Sequence, residues 1–301
     1  MNSSVLKFAL ASTVLAAASC LPAQTSSQIG SDSDRGFTEI ESVQSTLNSQ
    51  ERLFKVDSNV GWDFNRHFGV FGGVPLYFVN VPSSTVTTGG TTTTTPGTSH
   101  NGMGNAYLGF ALRESGSKVD YAGVITLAAP TASTKDGLST GRGTFDFDNR
   151  FQHAFKRFMP FFDGGIGNSV PDSILFSRPF TSLGFITHLE EGGGYSLTKR
   201  FSVNASAYEI VPAGNQKIYS KLVAQGQTGK AGSKNVFQTN AFASGSGLTR
   251  ENGFNAWVQF EPAPAWDFAV GYTRSATYGL NSFAFNLRMN VGKLLRSGKI
   301  S

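Results

Sequence analysis

His188 and Glu190 stand two residues apart in Thr187-His188-Leu189-Glu190, a spacing that puts both on one face of a β-strand. Such a pair could hold a metal ion, and His188 could titrate near neutral pH. Two ligands are too few for a metal without others, so a mutually satisfied pair is the simpler reading and no metal is assigned. The other histidines are poorer candidates. His67 sits in a predicted turn, Asn65-Arg66-His67, and His153 shares a face with phenylalanines. His100 lies in Ser99-His100-Asn101-Gly102, at the end of a threonine-rich stretch. A nucleophile and its base must be rigidly placed within hydrogen-bond reach, and these positions do not promise that. The glycine clusters at 72–73, 192–194 and 245–247 lack a following helix, so no phosphate loop or dinucleotide motif is read. The sequence therefore assigns no catalytic residue and no cofactor.

A larger set of charges falls at alternate positions of predicted strands. The acids are Asp57, Asp63, Asp120, Asp146, Asp148, Asp163, Glu190, Glu261 and Asp267. The bases are Lys55, Arg113, Arg150 and Arg288, with His188 beside them. The stretch from Gly141 to Asn168, GRGTFDFDNRFQHAFKRFMPFFDGGIGN, shows how they are positioned. Phe145, Phe147, Phe151 and Phe155 fall on one face, and Asp146, Asp148, Arg150 and Gln152 on the other. A short basic turn, Lys156-Arg157, leads to a second apolar run, Phe158 to Ile166. A soluble sandwich would bury the aromatic face and wet the charged one. A membrane barrel turns the aromatics to lipid and the charges to its lumen.

Composition favours the barrel. Of 301 residues only 15% are charged, against about 25% in a typical soluble domain. Glycine numbers 35 and phenylalanine 26, while a mean hydropathy of -0.14 excludes a helical membrane protein. The net charge of +5 is scattered and forms no basic run of the kind nucleic-acid binding requires. Residues 1–23 read as a secretory signal: Lys7, then the apolar segment Phe8 to Ala18, then a cut after Ala23. Cys20, the single cysteine, is either a lipidation site or part of the discarded signal. Residues 24–36 read as disordered, 37–295 as the barrel and 296–301 as a tail.

Along the chain, strands are expected at Phe37–Leu47, Arg52–Phe64, Phe68–Val81 (irregular at Pro75), Gly104–Arg113 and Val119–Ala129. The two strands of the Phe-rich hairpin follow. Then come Ser182–Leu197, with a bulge expected at Gly192-Gly193-Gly194, and Phe201–Val211, Glu251–Glu261, Trp266–Thr277 and Asn281–Gly292. Each is about ten residues long, enough to cross a bilayer at a tilt. Short turns, several of them basic residues followed by Phe, alternate with long polar loops at 82–103, 130–140, 170–181 and 212–249. That segregation matches outer-membrane barrels, whose periplasmic turns are short and outer loops long. An even number of strands with both ends periplasmic requires twelve. The expected fold is all-β: a single antiparallel up-and-down transmembrane barrel in the outer membrane.

The segments GNAYLGFALR, VDYAGVITLAAPTAS and GLSTGRGTFDFDNRF resemble the outer-membrane barrel family of the meta-pathway of phenol degradation. In that family a strand ending in Pro-Thr leads through a Gly-rich loop into a Gly-x-Gly strand; the matching residues are Pro130-Thr131, Gly137, Gly141 and Gly143. The resemblance spans roughly Val56 to Gly292 and implies a channel or transporter for small organic compounds, with no defined site to carry over. The chain departs from the usual aromatic C-terminal residue, ending Lys299-Ile300-Ser301.

Three functions remain open. The first is a passive channel for small organic solutes, aromatic ones included, through an acid-leaning lumen. The second is a closed-lumen barrel that presents loops 82–103 and 212–249. The third is a lipid-modifying enzyme, since Ser99-His100-Asn101-Gly102 loosely resembles the His-x-Ser-Asn-Gly of outer-membrane phospholipase, although the order is wrong. The expected partners are outer-membrane lipid and lipopolysaccharide, whose phosphates Lys217, Lys221, Lys230 and Lys234 could meet as a solvated basic loop, and the barrel-assembly machinery. Trp62 and Trp266 are expected at the inner interface, and Trp257 in the lumen.

Overall fold

A computed structural model describes residues 36–47, 52–81, 83–88, 91–95, 97–222, 241–244 and 249–297. The expected signal segment, Lys230 and Lys234 lie outside the described residues. The strands are β1 (Gly36–Leu47), β2 (Arg52–Asp63), β3 (Phe68–Gly73), β4 (Leu76–Val81), β5 (Ser84–Thr88), β6 (Thr91–Thr95), β7 (Thr98–Met103), β8 (Tyr107–Ser115), β9 (Asp120–Ala128) and β10 (Thr144–Gln152). They continue with β11 (Phe158–Gly167), β12 (Phe180–Leu183), β13 (Ile186–Ser196), β14 (Phe201–Pro212), β15 (Gln216–Ser220), β16 (Ala241–Ser244), β17 (Glu251–Ala263), β18 (Trp266–Ser275) and β19 (Leu280–Asn290). One helix, α1 (Val291–Ser297), follows.

Fourteen of these strands form one antiparallel sheet, and β1 closes it by pairing with both β2 and β19. β3 and β4 lie in line along β2, and β7 and β8 continue the next position in the same way. Counting each in-line pair once gives a closed barrel of twelve. The gap between β3 and β4 falls at Val74-Pro75, because proline has no N–H to give the ladder. There the Gly104 amide donates to the Pro75 carbonyl at 2.6 Å.

The period of two sorts side chains as the aromatic face requires. Phe145, Phe151, Phe254, Phe260, Phe283 and Phe285 point outward and are 38–53% exposed. Phe147 lies half-buried on the same side. Asp148, Arg150 and Gln152 point inward and are buried. Several acids break the pattern. Glu39 and Glu41 on β1, and Glu191 and Glu209 on β13 and β14, alternate with inward residues and face out; Glu209 meets Arg250 at 2.7 Å. A guanidinium on the aromatic side has no such partner at Phe147. Phe147→Arg is therefore expected to cost about 2–4 kcal/mol near the midplane, read as lost folding into lipid vesicles by heat-shifted gel migration.

Several expectations change. The Thr-rich loop carries the β5–β6 hairpin, and residues 98–103 are strand β7 on β4. β13 runs through Gly192-Gly193-Gly194 without a register shift. The glycines serve close packing instead: a Cβ on Gly192 would meet the Phe161 ring inside, and one on Gly193 the Phe158 ring outside. Residues 180–183 leave the barrel and pair with β15, which pairs with β16. Residues 291–297 are helical rather than a plain tail.

Both termini of the sheet lie at the end with the turns 64–67, 116–119, 153–157 and 197–200. The longer described connections lie at the other end, although 276–279 there is also short.

Candidate functional site

The lumen is built from the inward positions of the barrel strands, and connections fold into it: Leu138, between β9 and β10, packs on Leu53, Tyr77 and Val79, and a second connection also enters. Residues 168–179, between β11 and β12, fold back into the barrel. Ile174, Leu175 and Phe176 are all buried. Leu175 packs with Phe161, Trp257 and Ala284, and it approaches Gly271 so closely that a Cβ there would collide with it. The loop is tied to β1 as well. The Gln44 amide donates to the Ser173 carbonyl at 2.7 Å, and the Thr46 hydroxyl to the Ser177 carbonyl at 3.0 Å. The Ser177 hydroxyl donates to Gln44 Oε1.

Asp172 is the hub of this loop. It accepts from the Tyr77 hydroxyl at 2.7 Å and from the Arg178 amide at 2.8 Å. Lys55 Nζ lies 3.6 Å from it and Lys221 Nζ 3.5 Å. Burial alone would raise the Asp172 carboxyl, but the two lysines outweigh burial and hold it well below the usual carboxylate range. Burial pushes the Lys221 ammonium down from 10.5 to about 8, with Asp172 opposing the fall. Lys221 also sits 4.4 Å above the Tyr77 ring. The solvated basic loop expected from the sequence is thus corrected at this residue: Lys221 is 1% exposed and turned inward, drawn by the Asp172 charge, while Lys217 stays exposed. Next along the loop, Arg178 meets Glu251 at 2.7 Å, and the Tyr208 hydroxyl donates to the same carboxylate at 2.7 Å.

The charges picked out by alternation lie along the inner wall in separate groups. Lys55 and Asp57 pair at 2.5 Å. Arg150 pairs with Asp163 at 2.8 Å, and its guanidinium lies 3.6 Å from the centre of the Phe161 ring. Asp63 and Arg113 pair at 2.6 Å toward the short-turn end. Gln259 bridges Glu261 at 3.2 Å and Asp267 at 2.8 Å, and Asp267 stands opposite Arg288 in register. Asp120 begins β9 at the same end, half-buried. His188 and Glu190 share a face but not each other. His188 bonds Asp146 at 2.9 Å, and its other ring nitrogen is 3.6 Å from Asp148. Glu190 accepts from Ser206 at 2.5 Å and Asn255 at 3.1 Å. The sequence reading missed Asp172, Arg178 and Glu251. The available signal was the triplet Ile174-Leu175-Phe176, which a solvated loop has no reason to carry.

Two cavities of about 70 and 120 Å³ flank the inward loop and share Thr126, Asp146, Pro171 and Asp172 as walls. The deeper one reaches His188 and Asn255, and the other reaches Lys55 and Lys221.

No protein-family description and no curated protein matches this chain. Among solved structures it is similar to an outer-membrane channel from Pseudomonas putida F1. The identity is 12%, over 90% of this chain and 98% of that one, with a TM-score of 0.54. It is less similar to the NanC porin, at 6% identity over 84% and 99% of the two chains and a TM-score of 0.48. The Pseudomonas putida toluene transporter TodX gives 9% over 91% and 93%, with a TM-score of 0.42. Taken with the closed sheet of twelve and its outward aromatics, the first of these likenesses shows that the chain has the fold of an outer-membrane channel.

Proposed function

We propose that this protein is a passive outer-membrane channel for small organic solutes, aromatic ones included, with a lumen narrowed by the inward loop 168–179. The observation that carries the reading is the pair of adjoining cavities beside that loop, walled by charged and hydrogen-bonding side chains. Water-filled barrels have polar interiors, and a purely structural barrel gains nothing from so many buried ion pairs, which are seldom net stabilising. The sequence resemblance to the phenol meta-pathway barrels and the fold of the Pseudomonas putida channel point the same way. On this reading the short turns face the periplasm, and residues 1–23 are removed after Ala23. The barrel-assembly machinery inserts the chain, and Lys217 lies among the outer loops toward lipopolysaccharide.

Planar-bilayer conductance and solute-swelling assays test the proposal. Folded protein that conducts, and that admits small aromatic solutes into vesicles, supports it. A complete lack of both supports the second reading, a closed barrel presenting loops 82–103 and 212–249. That reading is favoured by the packing of Leu175, inside the barrel, with Phe161 and Trp257.

Acidity should move the loop with a fixed sign. Docking lowers the Lys221 pKa to about 8 from 10.5, so between these values the docked loop holds fewer protons than the released one. Raising the pH through that window favours docking. Docking also lowers the Asp172 pKa, so its contribution is complete above the ordinary carboxylate range and is lost as the pH falls through the docked value. Conductance should therefore fall from pH 8 toward 10.5 and rise below about 4. Lys221→Met should abolish the alkaline limb; a conductance that rises with alkali contradicts the assignment.

A further inference from the structure

We propose that the deeper lumen cavity is a binding site for a small organic ammonium ion, with Asp148 and Glu190 as its counter-charges. The charge balance around the cavity points there. Asp172 faces two lysines, Arg178 faces Glu251, Arg150 faces Asp163, and His188 bonds Asp146. Asp148 and Glu190 are left without a close ammonium or guanidinium of their own and share the field of Arg150 with Asp163. Glu190 accepts from the hydroxyl of Ser206 and the amide of Asn255. Asp148 has the His188 ring nitrogen at 3.6 Å, outside hydrogen-bond range, and the more distant charge of Arg150.

A second observation is independent of that balance. Asp148 and Asp163 are each 2% exposed, and Oδ1 of each lacks a hydrogen-bond partner among the described residues. Both residues line this cavity. A buried carboxylate oxygen without a donor is costly, and an ammonium supplies up to three donors and a positive charge. The rest of the lining includes Val124, Pro171, Ile174 and Ile210, which suit an apolar body. Acids and aliphatics in one lining describe a primary amine on a small hydrocarbon or aromatic frame. A carboxylate of the same shape would meet like charge.

The inference rests on the channel reading only for the cation's route to the site. The full barrel, folded in detergent, is titrated calorimetrically with benzylammonium, benzyl alcohol and benzoate. Benzylammonium is expected to bind at least about tenfold more tightly than benzyl alcohol, a difference of about 1.4 kcal/mol, and benzoate not to bind. The Asp148→Asn/Glu190→Gln double variant should lose that preference. Equal affinity for benzylammonium and benzyl alcohol overturns the proposal, as does an unchanged preference in the double variant. If the double variant does not fold, the wild-type comparison alone decides. Bilayer recordings separate the two claims. Ammonium binding without conductance removes the channel reading and leaves this site standing, whereas conductance without ammonium preference does the reverse.

Discussion

Asp172→Ala raises the conductance of the reconstituted barrel several-fold while leaving the barrel folded. The substitution removes the carboxylate that Lys55 and Lys221 both face, together with the acceptor for Tyr77 and for the Arg178 amide. Breaking a buried ion pair from one side costs about 3–5 kcal/mol, because the remaining charge stays buried without its counter-charge. A penalty of that size shifts the docked-to-released ratio of the loop by about two to four orders of magnitude. The loop's release returns both lysines to water. The strand ladder does not include Asp172, so heat-shifted migration should be unchanged. Asp172→Asn keeps an acceptor for Tyr77 and the amide but not the charge, and should fall between. Unaltered conductance in a folded Asp172→Ala barrel would mean that some other contact holds the loop.

The second large effect concerns Arg150. Facing alone suggests that Arg150→Ala folds and at most changes ion selectivity, as a side chain in an aqueous lumen would. Its surroundings say otherwise. Arg150 is 2% exposed, bonded to Asp163 and laid over Phe161. Truncation strands Asp163 and removes the cation–π contact, so a loss of about 3–5 kcal/mol is expected. Replacing both partners with apolar residues of similar volume, Arg150→Met with Asp163→Leu, should cost far less, since no charge is left behind. Urea unfolding from vesicles measures the cycle. A double variant as unstable as Arg150→Ala would place the cost in lost packing rather than in the orphaned carboxylate.

Much of the fold was legible because a barrel strand repeats a simple instruction. Phe145 and Phe147 against Asp146 and Asp148 set orientation, and a slip of one residue would exchange the two sets. The same rule put Lys55, Asp57, Arg150 and Asp163 inside. It failed where local pattern and tertiary contact disagree. Glu191 obeys the alternation of β13 and faces outward, so its charge did not decide its side. Asp172 and Lys221 lie in segments with no period, and only the folded loop brings them together across 49 positions. The long loop expected at 170–181 was read as polar, yet its apolar triplet belongs to the interior. The glycine run at 192–194 looked like a break because pairing cannot be read from composition. What it accommodates, the rings of Phe161 and Phe158, is nonlocal.

The ties of the inward loop to β1 set an order of assembly. Gln44 and Thr46 hold the loop from the first strand, and Thr46 also bonds Ser282 on the last, at 3.3 Å. β1 and β19 join residues such as Val43 and Phe285, at nearly opposite ends of the chain. Contacts so distant in sequence form late, because closing so long a loop costs the most chain entropy. The complete seat of the loop exists only after this seam is sealed. Maturation therefore has two stages: a hollow ring forms first, and its stopper settles afterwards. A newly sealed ring leaks until the stopper is in, so a pulse of permeability should accompany insertion into vesicles and decay as Trp257 becomes covered by Leu175.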